Sequence, residues 1–199
     1  MTAARPTPPF DNWRALVAHR PHANVDAIML QFERIGIAAT HRWPDLGTVE
    51  DLMAFNVLLF DADMGFDAQF PWEPGNAPIP TIALIGSEAP GRVSWALNQG
   101  ADAHLLKPIG SAGLYSALVI ARHAHARRRA LNNEIADLRI RQSSREVMAE
   151  ATALLMLRDG ISARTAFNQI RRLAMANRQT IEQVAGAIVE AEDARRIHR

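Results

Sequence analysis

The stretch GADAHLLKPIG, residues 100–110, holds the only lysine of a 199-residue chain, and every other Lys or Arg position is an arginine. The run Ala-His-Leu-Leu-Lys, ended by Pro108, is typical of a buried strand that closes into a turn. Functional side chains of an open parallel sheet collect where its strands end. The stretch therefore predicts the last strand of an α/β sheet, with Lys107 at its carboxyl edge.

Before this stretch, short apolar runs alternate with patterns of helical period. Strands are predicted at 13–19, 37–43, 56–61, 80–86 and 103–107, and helices at 24–35, 48–54 and 90–100. This alternation predicts a doubly wound parallel sheet of five strands with helices on both faces. Asp61 ends the third strand as Lys107 ends the fifth, so both side chains are expected at the same edge.

Composition excludes several classes of protein. The chain has no cysteine, which rules out disulfides and thiolate metal sites. No apolar run approaches the roughly 20 residues that span a bilayer. The first residues, MTAARPTPPFD (1–11), lack a secretory apolar core and predict a disordered tail. These features predict a cytoplasmic protein without membrane contact.

The net charge of +1 conceals two halves of opposite sign. Residues 1–113 carry 7 Lys and Arg against 12 Asp and Glu, whereas residues 114–199 carry 15 against 9. Such a division indicates two modules, of which the basic one is the candidate for an anionic partner.

VLLFD (57–61), followed by GADAHLLKPI, resembles the response-regulator receiver domain, and the resemblance predicts such a domain over residues 12–113. It implies that Asp61 matches the phospho-acceptor position and Lys107 the lysine that pairs with the phosphate.

Two positions depart from the receiver pattern. Receivers carry an acidic pair after the first strand because Mg²⁺ binds carboxylate oxygens, and here that stretch is HRPH (19–22). They carry Ser or Thr at the end of the fourth strand, where this chain has Ile85. We therefore expect a pseudo-receiver in which Asp61 and Lys107 form a structural pair and a protein supplies the input; phosphorylation of Asp61 is the alternative.

No proline or glycine interrupts residues 114–159, so one long helix or two nearly continuous helices are expected. Steps of three and four residues predict a coiled-coil connector over 114–144 and a homodimer. The predicted seam comprises Ala117, Ala121, Ala124, Arg128, Leu131, Ile135, Leu138 and Gln142, and the dimer contact is centred on Leu131, Ile135 and Leu138. The alternative is that these residues pack on their own sheet. The arginines of RHAHARRR (122–129) are interpreted as a solvated face, with nucleic-acid contact as the alternative.

Residues 145–199 predict a small bundle of three helices, the second capped by Ser162 and the third opened by a Thr180–Gln183 capping box. The segment 149–185, AEATALLMLRDGISARTAFNQIRRLAMANRQTIEQVA, resembles the ANTAR domain, the RNA-binding module of transcription antiterminators. With the pseudo-receiver, the whole chain resembles the AmiR/NasT group of regulators.

The resemblance implies binding to hairpins in a nascent leader mRNA, which prevents an overlapping terminator from forming. Arginine and amide side chains suit contact with RNA phosphates and splayed bases. The expected RNA contacts are Arg158, Arg171, Arg172, Asn177, Arg178 and Gln179. A ligand-sensing regulatory protein is expected to act on the pseudo-receiver. No catalytic residue, metal site or cofactor motif is found, so an enzyme is not expected.

Two other functions remain open. A DNA-binding response regulator could use the helix that begins at Thr180, although that helix is acidic and apolar. A dimeric signalling scaffold that binds only proteins would leave the arginines solvated.

Overall fold

The structure is a computed structural model that describes residues 10–197, with side chains described up to residue 194. The chain divides after Ala130 into two compact units. We call the first the receiver-like unit and the second the helical unit. Each is described by itself below.

The receiver-like unit contains the five-stranded parallel sheet that the sequence predicts. Its strands are β1 (Arg14–Ala18), β2 (Ala38–Arg42), β3 (Val57–Asp61), β4 (Thr81–Ile85) and β5 (Ala103–Leu106), in the spatial order β2-β1-β3-β4-β5. Each is one or two residues shorter than predicted. All pairings are parallel, with Leu59 opposite Ile82 and Asp61 opposite Leu84. The predicted fold class is confirmed.

Helices cover both faces of the sheet. Helices α1 (Ala23–Ile35), α2 (Val49–Leu52) and α3 (Pro90–Asn98) belong to this unit, and α4 (Leu114–Asp159) begins in it. Because side chains alternate along a strand, Val17 and Leu59 pack with α1 and the start of α4, whereas Leu16 and Phe60 pack with α2 and α3. The two cores fix the strand ends in place.

Two buried amides hold the loop between β5 and α4. Asn24 Oδ1 accepts a hydrogen bond from the Ile109 N–H at 3.0 Å, and Gln31 Nε2 donates to the Gly110 carbonyl at 2.7 Å. The N-cap of α1 is His22, whose Nδ1 accepts from the Asn24 N–H. Asparagine is a more common N-cap residue than histidine, but the side chain of Asn24 binds the loop that follows Lys107.

Phe10 departs from the tail predicted over 1–11. It is buried and packs edge-to-face on Trp13 and Tyr115, with ring centroids 4.8 and 5.6 Å away. An aromatic ring placed next to the first strand is held by the apolar area that it buries. The rest of the predicted tail up to residue 9 lies outside the described residues.

Helix α4 is one continuous element of 46 residues. Ala117 and Ala121 are buried in the core of the receiver-like unit, so the early part of the predicted seam packs on its own sheet. Leu131, Ile135 and Leu138 are about half exposed. No helix within residues 10–197 is long and apolar enough to cross a bilayer.

The helical unit consists of the second part of α4 with α5 (Ala163–Asn177) and α6 (Ile181–Ile197). Its buried core is small and comprises Ala151, Leu155, Ala166, Ile170, Ala174, Val184 and Ala185. Both predicted caps are present: Ser162 Oγ accepts from the Thr165 N–H, and Thr180 and Gln183 exchange the two hydrogen bonds of a capping box. Four of the seven core residues are alanines, which lets the helices approach closely.

Candidate functional site

Asp61 and Lys107 meet at the carboxyl edge of the sheet. Asp61 is the last residue of β3 and is 1% exposed, and Lys107 directly follows β5. The Lys107 ammonium lies 2.6 Å from Asp61 Oδ1. The Lys107 N–H donates to the Ile85 carbonyl, and the Lys107–Pro108 peptide bond is cis. A charge pair this deeply buried is costly to break from either side.

Two further residues complete what we call the carboxyl-edge cluster: His19, Asp61, Asp63 and Lys107. Asp63 Oδ2 lies 2.6 Å from the Lys107 ammonium. Partial burial raises the pKa of Asp63, but the Lys107 ammonium and the backbone N–H of Ser87 outweigh it and hold that pKa below its usual value. The Lys107 ammonium therefore contacts both carboxyl groups, Asp61 and Asp63.

His19 occupies the place where the receiver pattern has a carboxylate. Its side chain is 2% exposed, and Nδ1 donates to the Arg20 carbonyl at 2.6 Å. Burial lowers the pKa of His19, and outweighs the Arg20 hydrogen bond and the charge of Asp61, which raise it. The neutral ring then presents a bare Nε2, which accepts from Lys107 at 3.4 Å and faces Asp61 Oδ2 at 3.2 Å. Asp61 Oδ2 has no hydrogen-bond donor among the described residues.

Lys107 contacts both carboxyl groups of the carboxyl-edge cluster, and His19 follows β1 where the receiver pattern has a metal-binding carboxylate. Within residues 10–197, no group of three or more His, Asp or Glu side chains is arranged to hold a metal ion. Sequence reasoning identified Asp61 and Lys107 but missed His19 and Asp63. The Asp-x-Asp spacing at 61–63 was the available signal, because it places a second carboxylate just beyond the strand end.

The RHAHARRR segment is not wholly a solvated face. Arg128 Nη1 donates to Asp102 Oδ1 at 2.5 Å and to the Gly100 carbonyl at 3.1 Å, and Arg128 Nη2 donates to Asp102 Oδ2 at 3.3 Å. The side chain of Asp102 is 2% exposed, and His125 Nδ1 lies 3.5 Å from its Oδ2. This two-point contact between a guanidinium and a carboxylate fixes α4 to the start of β5. Arg128 therefore packs within the receiver-like unit.

In the helical unit, three of the expected RNA contacts line one cleft. Arg158, Asn177 and Gln179 surround a volume of about 240 Å³, together with apolar side chains that include Leu173 and Ile188. Glu192 also lines this cleft. A cleft that combines a guanidinium, two amides, a carboxyl group and an apolar wall can take a flat polar ring through both donors and acceptors. The Arg158 guanidinium is already paired with Asp159, with Nε to Oδ1 at 2.7 Å and Nη2 to Oδ2 at 2.9 Å.

The other three expected contacts are exposed cations on α5 or directly after it. Arg171 and Arg172 lie on α5, and Arg178 follows its last residue in the left-handed region, with φ of 54°. Across the side chains that the structure describes, none of the three forms an ion pair. They do not line the 240 Å³ cleft. The six residues thus separate into a cleft group and a group of unpaired arginines.

Comparison with known families agrees with the two units. Residues 13–122 match the family described as AmiR, N-terminal, and residues 136–189 match the ANTAR domain. The first match covers more than half of the chain.

Individual relatives are similar over different lengths. The transcriptional regulatory protein PdtaR of Mycobacterium tuberculosis is 32% identical over 111 residues, which are 56% of this chain and 54% of that protein. The chain therefore spans about half the length of this curated relative. The aliphatic amidase regulator of Pseudomonas aeruginosa is 24% identical over 180 residues, 90% of this chain and 92% of that protein.

Among solved structures, the signal receiver domain of a modulated diguanylate cyclase from Desulfovibrio desulfuricans G20 is 15% identical with a TM-score of 0.47. The match covers 57% of this chain and 95% of that one.

With an AmiR N-terminal domain followed by an ANTAR domain, the chain belongs to the AmiR/NasT-type family of ANTAR regulators.

Proposed function

We propose that the chain is a transcription antiterminator that binds hairpins of a nascent leader RNA through the helical unit, and so keeps an overlapping terminator from forming. The observation that carries the proposal is the pairing of a base-sized cleft, lined by Arg158, Asn177 and Gln179, with the exposed cations Arg171 and Arg172. Unpaired arginines attract phosphates, and the cleft suits a base splayed from an RNA loop. We propose that this activity takes place in the cytoplasm.

Replacement of Arg171 and Arg172 by alanine is expected to weaken binding to a two-hairpin leader RNA on the order of tenfold or more. Loss of two phosphate contacts should also reduce the slope of log affinity against log salt by about 1.5. The measurement is a titration of the leader RNA, and of a DNA duplex with the same sequence, at two salt concentrations. The leader is taken from upstream of the gene's own operon.

Arg127→Ala/Arg129→Ala is the matched control, because both arginines are exposed on α4 and the same charge is removed. It is expected to leave the RNA affinity near that of the unsubstituted protein. Equal or tighter binding to the DNA duplex would favour the DNA-binding regulator. No binding by a folded protein would favour the scaffold.

We also propose that the active species is a homodimer joined through α4. Leu131, Ile135 and Leu138 follow one helical face and are 47–54% exposed in a single chain, which is a typical signature of a short coiled-coil contact. Two linked helical units would bind paired hairpins with an avidity that neither has alone. Sedimentation of Leu131→Ala/Leu138→Ala is expected to show monomer where the unsubstituted chain sediments as a dimer; an unchanged dimer would contradict this contact.

Control is proposed to enter through a ligand-sensing protein that binds the receiver-like unit. The support is chemical: His19 stands where a receiver needs a metal-binding carboxylate, so a phosphoryl route lacks its cation site. A candidate partner should lower the RNA affinity in the titration above, and a partner that binds without changing that affinity would contradict the proposal.

A further inference from the structure

The carboxylate of Asp63 joins the ends of three neighbouring strands. Asp63 lies two residues beyond the last residue of β3. Its Oδ2 accepts from the Gly86 N–H at 2.8 Å, and its Oδ1 accepts from the Ser87 N–H at 2.9 Å. Gly86 and Ser87 directly follow β4, and Lys107, 2.6 Å from Oδ2, directly follows β5.

These three donors form a set that suits a small oxyanion. Two consecutive backbone N–H groups that point to one place make an anion-binding concavity, and an adjacent ammonium adds full charge. Gly86 is needed for the close approach, since a Cβ at that position would lie 2.7 Å from Asp63 Oδ2. Any other residue at position 86 would require the Asp63 carboxylate to shift.

The Lys107 ammonium contacts a second, more deeply buried carboxyl group. Lys107 also pairs with the buried Asp61, which leaves Asp63 as the outer of the two carboxylates, 23% exposed against 1%. The outer place is therefore the one that solvent, and a small anion from solvent, can reach.

We propose that the Gly86 N–H, the Ser87 N–H and the Lys107 ammonium form an oxyanion site for the carboxylate or phosphate class of ligand, and that the chain fills this site with its own Asp63. The ends of β3, β4 and β5 are then held together with no external anion. A variant that lacks the Asp63 side-chain carboxylate exposes a site that a small oxyanion from solution can occupy.

The test is the thermal unfolding of Asp63→Ala in chloride, acetate and inorganic phosphate at equal ionic strength. Tryptophan fluorescence reports the receiver-like unit alone, because all four tryptophans, at 13, 43, 72 and 95, precede residue 130. In chloride, Tm should fall on the order of 4–8 °C. Acetate or phosphate should restore part of that loss, with a shift that grows with the logarithm of its concentration. Rescue by acetate alone assigns the site to carboxylates, and rescue by phosphate assigns it to phosphoryl groups.

Asp67→Ala is the control, because Asp67 accepts hydrogen bonds from the neutral side chains of Trp95 and Gln99 and forms no ion pair among the described residues. The Tm of Asp67→Ala should also fall in chloride, but acetate and phosphate should not restore it. A second variant, Asp63→Asn, keeps the shape; hydrogen exchange at the Gly86 and Ser87 amides should be faster in it than in the unsubstituted protein. Equal anion effects in all proteins, or unchanged exchange at these two amides, would overturn the proposal.

Discussion

Replacement of Lys107 by methionine is expected to lower the free energy of unfolding of the receiver-like unit by about 3–5 kcal/mol. The side chain of Lys107 is 11% exposed, and its ammonium lies 2.6 Å from an oxygen of both Asp61 and Asp63. Methionine matches the length of the stem but removes the only cation of the carboxyl-edge cluster. Asp61, at 1% exposure, would lose the ammonium that compensates its burial.

Denaturant unfolding followed by tryptophan fluorescence measures this effect in the receiver-like unit. The control is Lys107→Met/Asp61→Asn, in which the buried charge is also removed and a large part of the stability should return. This asymmetry follows because an orphaned charge costs more than a missing pair. A Lys107→Met protein within about 0.5 kcal/mol of the unsubstituted chain would show that the cluster has no such role.

Leu155→Ala is expected to destabilise the helical unit by about 2–5 kcal/mol. Leu155 is 1% exposed in a core of seven buried residues, of which Leu155, Ile170 and Val184 are the only members larger than alanine. A unit this small has little further apolar area to offset a cavity. We expect the helical unit to unfold first, and RNA binding to be lost with it.

Leu157→Ala is a closely matched control, since Leu157 is the same residue type two positions away on α4 and is 83% exposed. Its effect should stay within about 0.5 kcal/mol. The measurement is far-UV circular dichroism, because the helical unit has neither Trp nor Tyr and its unfolding is silent in fluorescence. Equal losses of stability in the two variants would contradict the assigned core.

The sheet and the caps could be predicted because they depend on local pattern. Five short apolar runs, each followed by a turn, determine where the strands lie, and parallel pairing follows from the helices between them. Ser162 and the Thr180–Gln183 pair determine helix starts through bonds to residues only three positions away. The sequence also allows Asp61 and Lys107 to be paired, because the strand ends of a parallel sheet share an edge.

The rest depends on contacts between residues distant in the chain. His19 and Asp63 join the carboxyl-edge cluster only because β1, β3 and β5 end close together at one edge of the sheet. The helical spacing predicts Arg128 in the coiled-coil seam. In the structure its guanidinium instead donates hydrogen bonds to Asp102, 26 residues earlier in the chain. A helical period alone does not distinguish a face that packs on its own sheet from one that meets a second copy.

The most direct test of the central claim is transcription in vitro across the leader and its terminator, with the fraction of full-length transcript measured as protein is added. The unsubstituted chain should raise this fraction, Arg127→Ala/Arg129→Ala should raise it equally, and Arg171→Ala/Arg172→Ala should not. An unchanged fraction at protein concentrations that saturate the leader RNA would contradict antitermination.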